Sequence, residues 1–187
     1  MRVLGISGSL RRDSYNRRLL LEAAELLPPG TELELFEELK AVPPYDEDDD
    51  VEQPHEMVVR LRRAIAEADA VLFATPEYNN SVPGQLKNAV DWASRPDGAG
   101  ALFGKPVAVV GASTGPFGAV WGQADLRKAL ARAGARVVQG EVAVPHAHRR
   151  LTEHGRLTDG DLQEELRELL DALIEEVRPP IIAAVAA

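Results

Sequence analysis

Runs of aliphatic and β-branched residues alternate along this chain with segments whose apolar positions recur at helical spacing, about five of each. That alternation predicts an α/β fold, a parallel sheet with crossover helices. Residues 2–7 (RVLGIS) read as the first strand. Residues 15–27 read as the first helix, with Leu19, Leu20, Ala23, Ala24 and Leu27 as its apolar stripe and Pro28, Pro29 and Gly30 as its stop. Residues 32–36 alternate acidic and apolar side chains, which suits a half-exposed edge strand. Residues 57–66 place Met57, Val58, Leu61 and Ile65 on one helical face, and residues 70–75 are apolar throughout, as a strand covered on both faces requires. A fourth strand is expected at 106–111, a helix at 121–133 stopped by Gly134, a fifth strand within 136–144 and a long amphipathic helix at 159–177.

With 187 residues, 45% of them hydrophobic and 27% charged, the chain suits a single domain, 1–187, with a real core. Twenty-one Lys and Arg against 30 Asp and Glu leave a net charge of -9, which disfavours nucleic acid and anionic membranes as partners. There is no cysteine, so disulfides, thiolate nucleophiles and cysteine-held metal centres are excluded, and any redox chemistry must come from a cofactor. The amino terminus turns polar after a few apolar residues, so a cytoplasmic location is expected. The terminal stretch IIAAVAA is far shorter than the roughly 20 residues that span a bilayer. The acidic run 46–50 (DEDDD) lacks the glycine turn and spaced ligands of a calcium loop and is expected to face solvent. His146 and His148 would share one face of a strand, but two ligands make no metal site, and a surface or interface role is expected for them.

In an open α/β sheet, ligands bind beyond the carboxyl ends of the strands, where the strand order reverses. The loops after strands one, three and four are GSLRRDSYN, PEYNNSVPG and ASTGPFG, and all are rich in Gly, Ser, Asn and Pro. The first places Ser9, Arg11, Ser14 and Asn16 where a strand feeds a helix, and free N–H groups with the positive end of the helix dipole favour an anion there. In isolation Ser14 reads as a helix cap and Arg11 as a solvated charge, but several donors together after strand one favour a phosphate. Neither the dinucleotide glycine pattern nor a P-loop is present, so a monophosphate is the simpler guest. In the second loop, Asn79, Asn80 and Gly84 tolerate backbone conformations that aim N–H groups into one concavity, which suits a flat heteroaromatic ring. Tyr78 serves either as an aromatic wall or as packing, while Asp91 and Trp92 read as packing or subunit contacts. Ser113, Thr114 and Gly115 offer a close-approach backbone surface in the third.

Taken together, GSLRRDSYN, PEYNNSVPGQLKNAVDW and the S-T-G-x-x-G stretch from Ser113 resemble the NADPH-dependent FMN reductase family of flavodoxin-like proteins, over about residues 2–140, and within it the quinone and chromate reductase branch. The resemblance implies a flavodoxin-like doubly wound five-stranded parallel sheet, order 2-1-3-4-5, with helices on both faces. It implies noncovalent FMN, with Ser9, Arg11, Ser14 and Asn16 around the phosphate and Tyr15 among the binding residues. Pro76, Glu77, Tyr78 and Asn79 are then near the isoalloxazine, mostly through main chain, and Ser113, Thr114 and Gly115 complete the site. NADPH or NADH would give hydride, a quinone or other small acceptor would take it, and no side chain is required as a catalytic acid or base. Family members form homodimers with the flavin near the subunit boundary, often paired into homotetramers, and the helix after PEYN is expected at that boundary. A flavodoxin-type electron carrier is the competing reading, which the acidic balance fits but the first loop does not. Residues 145–187 match no motif and are expected to hold lineage-specific surface.

Overall fold

A computed structural model describes residues 1–177, so the apolar terminal stretch lies outside the described residues. The sheet is parallel and carries β1 (Arg2–Ser7), β2 (Glu32–Leu35), β3 (Ala70–Thr75) and β4 (Pro106–Ala112) in the order β2-β1-β3-β4, with β5 (Arg136–Val137) beyond β4. This is the doubly wound order expected. The fifth position differs from the single run anticipated: β5 ends after two residues, and β6 (Val142–Val144) resumes pairing further along β4. Gly140, with φ of 141°, lies in the break, where a glycine adopts what other residues rarely do.

Helices cover both faces, and each strand serves the two layers in alternation, as a pleat demands. Leu4, Ile6, Val71, Phe73, Val107 and Val109 point toward α2 (Glu56–Glu67), α3 (Gly84–Ala93) and α4 (Val120–Arg132). Val3, Leu72, Ala74, Ala108, Val110 and Ala112 point toward α1 (Tyr15–Leu26) and the long last helix, α6 (Gly160–Val177). The helix α6 buries Leu162, Leu166, Leu169, Leu170, Leu173 and Ile174, so this part of the carboxyl-terminal segment builds core where surface was expected. Among the described residues no helix is long and apolar enough to cross a membrane.

Two local readings change. The chain leaves strand geometry after Val144, and His146 takes a left-handed φ of 48° before the one-turn helix α5 (Ala147–Arg150), so the two histidines do not share a strand face. Among the described residues no group of three or more His, Asp or Glu is arranged to hold a metal. In the acidic run, Asp46 to Asp49 are exposed, but Asp50 makes a half-buried ion pair with Arg62 at 2.7 Å. Arg62 in turn donates to the Trp92 carbonyl and lies over its ring, and the Trp92 indole N–H donates to the Pro43 carbonyl at 2.8 Å. Trp92 is therefore fully buried packing that pins the segment between β2 and α2.

Candidate functional site

Ser7, Thr75 and Ala112 end three adjacent strands at the carboxyl edge, and the turns that leave them meet around one cleft. Successive strands lie on opposite sides of β1, so this is the switch point of the sheet. A cavity of about 160 Å³ lies there, lined by Ser9, Arg11, Ser14, Tyr15, Asn16, Pro76, Glu77, Tyr78, Ser113 and Thr114 together with Ala112. The structure thus gathers most of the expected residues from three distant stretches. Asn79 and Gly115 border the cleft without lining this cavity. Ala112 was not among the expected binding residues, although it opens the third loop ASTGPFG; in the structure it is the last residue of β4.

In the first turn, no backbone N–H from residue 9 to 16 donates to a protein acceptor among the described residues. The Ser14 hydroxyl, buried at 2% exposure, accepts from the Arg17 N–H at 3.2 Å and so caps α1, while its own proton remains available. The guanidiniums of Arg11 and Arg18 lie over the Tyr15 ring, 5.9 and 5.4 Å from its centroid. Asn16 lines the cavity, yet its amide is engaged elsewhere. Nδ2 donates to the Ala112 carbonyl at 3.0 Å, and Oδ1 accepts the Ala112 N–H at 2.9 Å. This buried two-bond clasp fastens α1 to the end of β4. Arg17 pairs with Glu37 at 2.7 Å, and that hydrogen bond raises its pKa from the usual value.

The second turn is a two-residue hairpin. Tyr78 and Ser81 exchange both backbone bonds at 3.1 Å, with Asn79 and Asn80 at φ of 52° and 58° between them. Positive φ at both central positions is the type I′ geometry, which asparagine tolerates. Tyr78 is half exposed and lines the cavity, so it is not core packing. Its N–H is spent on Ser81, whereas the N–H groups of Glu77 and Asn79 have no acceptor among the described residues. The Glu77 carboxylate turns away to accept from the N–H groups of Trp121 and Gly122, at 3.0 and 3.1 Å. α4 comes this near because Gly122 has no side chain: a Cβ there would lie 3.0 Å from the Pro76 carbonyl oxygen.

The third turn is braced from outside. Ser113 donates its N–H to Val144 and accepts at its carbonyl from Ala147, while the Gly115 carbonyl accepts from His146. Phe117 and Trp121 stand exposed beyond it, edge to face at 5.0 Å. Two aromatics four residues apart at a helix start were the sequence signal for that patch. A site of this construction can hold a phosphate monoester at the start of α1 and a flat ring across the other two turns.

Residues 1–149 match the profile of a family described as NADPH-dependent FMN reductase. The chain is 44% identical over 174 residues to an NAD(P)H-dependent FMN reductase of Pseudomonas aeruginosa, covering 92% of this chain and 93% of the relative. It is 36% identical over 179 residues to a 2-hydroxy-1,4-benzoquinone reductase of a Burkholderia species, covering 95% and 97%. Among solved structures it resembles the flavoenzyme NAD(P)H:(acceptor) oxidoreductase of Paracoccus denitrificans, with a TM-score of 0.83, 37% identity and coverage of 94% and 96%.

Proposed function

Because the chain belongs to the NADPH-dependent FMN reductase family, we propose that its cleft holds FMN noncovalently and that the protein passes hydride from NADPH or NADH to quinones and similar small acceptors. The observation that carries this reading is the meeting of three turns at the switch point around one cavity, with the backbone N–H groups of residues 9 to 16 unpaired among the described residues. The residues fit the group. Unpaired N–H groups from residue 9 onward, the Ser14 hydroxyl, the start of α1 and Arg11, which makes no ion pair among the described residues and donates to the Asp13 carbonyl, suit a phosphate dianion. The one acidic residue that lines the cavity, Glu77, has its carboxylate held by α4.

FMN held here would supply the two-electron redox chemistry between a reduced pyridine nucleotide and an acceptor. The chain's own residues contribute geometry and fixed dipoles. Ser14 and Arg11 anchor the anionic tail. The N–H groups of Glu77 and Asn79 stand ready as preorganised donors toward the carbonyl edge of the ring, where negative charge gathers on reduction. Tyr78 walls one side and, being half exposed, leaves room for a planar partner. No side chain in the cavity needs to move a proton. Donor and acceptor use the same place in turn, which gives ping-pong kinetics.

The exposed Phe117–Trp121 pair beside the cleft supports a homodimer whose subunit boundary lies near the site, with pairing of dimers into a tetramer as a further step. Chromate belongs with the quinones among the acceptors of this reading, and the cytoplasm, where reduced pyridine nucleotide is supplied, is its setting. Mixing the yellow protein with NADPH under anaerobic conditions tests the function. The reductase bleaches within seconds and recovers its colour on adding quinone. A flavodoxin-type carrier stays yellow until a separate reductase is added, and that result would overturn the proposal.

A further inference from the structure

Beside the cleft, on the β2 side, lies a second cavity of about 480 Å³, lined by Ser7, Ser9, Leu10, Arg11, Arg12, Arg17, Phe36, Glu37, Leu39 and Lys40. The two cavities share Ser9 and Arg11 in their walls, so they adjoin at the first turn. Four cations and one carboxylate face this space, in a chain whose net charge is -9. Glu37 is matched by Arg17. Arg11, Arg12 and Lys40 make no ion pair within the described residues, although acids outnumber bases across the molecule. Both Arg12 and Lys40 are exposed and free to move toward a ligand.

Concentrating unpaired cations in a concave space raises the local potential and draws anions to it, more strongly where the surrounding surface repels them. A third cavity, lined by Leu10, Arg11, Tyr78 and Pro83 among others, opens between the same turn and the Tyr78 wall and is mainly apolar. Arg11 borders all three spaces. A planar ring lying beside Tyr78 and a phosphoryl group among Arg12 and Lys40 would therefore belong to one continuous surface running past Arg11.

We propose that Arg12 and Lys40 hold a phosphoryl group of the reduced pyridine dinucleotide that enters this site, and so form an anchor for the hydride donor distinct from the phosphate cradle at α1. This rests on the reading of the cleft as a flavin site. The phosphoryl group is either the 2′-phosphate, present only in NADPH, or the pyrophosphate common to both donors.

The test is the double variant Arg12→Ala/Lys40→Ala, read in two ways. In titration calorimetry with adenosine 2′,5′-bisphosphate and with adenosine 5′-diphosphate, neither of which carries the nicotinamide, at least one should bind the parent protein and bind the variant about tenfold more weakly, as loss of charge-assisted phosphate contacts implies. Steady-state KM should rise for NADPH alone if the 2′-phosphate is held, or for NADPH and NADH alike if the pyrophosphate is held; the bisphosphate reports the first directly, and adenosine 5′-diphosphate reports the second. The ratio of flavin to protein should match the parent's, since neither side chain lines the α1 cradle. Unchanged nucleotide affinity together with unchanged KM for both donors overturns the anchor. A parent protein that binds no flavin would sink the earlier reading instead, and the flavin ratio separates that failure from this one.

Discussion

Glu77 and Trp121 are tied by a hydrogen bond of 3.0 Å from the backbone N–H at the start of α4 to the Glu77 carboxylate, and Gly122 adds a second at 3.1 Å. A side chain from the second turn thus serves as an anionic cap for the helix packed against that turn. Replacing Glu77 with alanine should cost about 0.5–2 kcal/mol of stability, the range for a lost helix cap, while glutamine should recover part of it. Urea denaturation of the three proteins checks this; equal stability of the alanine variant and the parent would show that the contact carries no weight.

Asn16→Ala should be more damaging than its size suggests. It strands the Ala112 carbonyl and N–H in a buried place, at about 1–3 kcal/mol for each unsatisfied group. Asn16→Asp keeps an acceptor for the N–H but sets a carboxylate against the carbonyl, so it should not rescue. Thermal melting of both variants decides, and unaltered melting of Asn16→Ala would contradict the clasp.

The hairpin predicts an asymmetry between small and branched replacements. Asn79→Gly and Asn80→Gly should leave stability within a few tenths of a kcal/mol, because glycine accepts positive φ. Asn79→Val should cost about 1–2 kcal/mol, the penalty of left-handed geometry in an L-residue, and should loosen flavin retention as the turn shifts. Melting curves and the absorbance ratio of flavin to protein report the two effects.

Arg11→Ala should weaken FMN binding about tenfold through the loss of a charge-assisted contact to phosphate. Fluorescence titration of apoprotein with FMN measures it. Retained affinity would move the phosphate away from the first turn.

Asp48 and Asp50 stand two residues apart in the acidic run and should behave differently. Asp48→Ala should fall within about 0.5 kcal/mol of the parent, as solvent-facing substitutions do. Asp50→Ala should destabilise by up to about 1 kcal/mol, because its partner Arg62 also braces Trp92. Denaturant midpoints for the pair give the comparison.

Strand and helix placement were legible because the buried strands, such as residues 70–75, are continuous apolar runs and the helices show a clear stripe at Met57, Val58, Leu61 and Ile65, whereas the strand order came from the family resemblance. The cleft was legible because its residues lie in three loops at one sheet edge. What stayed hidden depended on partners far away in sequence. Nothing near Asn16 announced Ala112, 96 residues on, and nothing near Glu77 announced Trp121. Asp50 looked like its neighbours in a charged run, and only the fold brings Arg62 to it. The break in the fifth strand was obscured because residues 136–144 keep β-branched composition on both sides of Gly140.

The splinting of Ser113 and Gly115 by Val144, His146 and Ala147 makes the third turn a dependent structure, shaped by chain that does not line the cavity. Substitutions at residues 142–147 can therefore retune that surface and leave the residues of the turn itself untouched, much as a lens is refocused by moving its mount. Tuning of acceptor choice between relatives should be sought in this outer brace as readily as in the cleft.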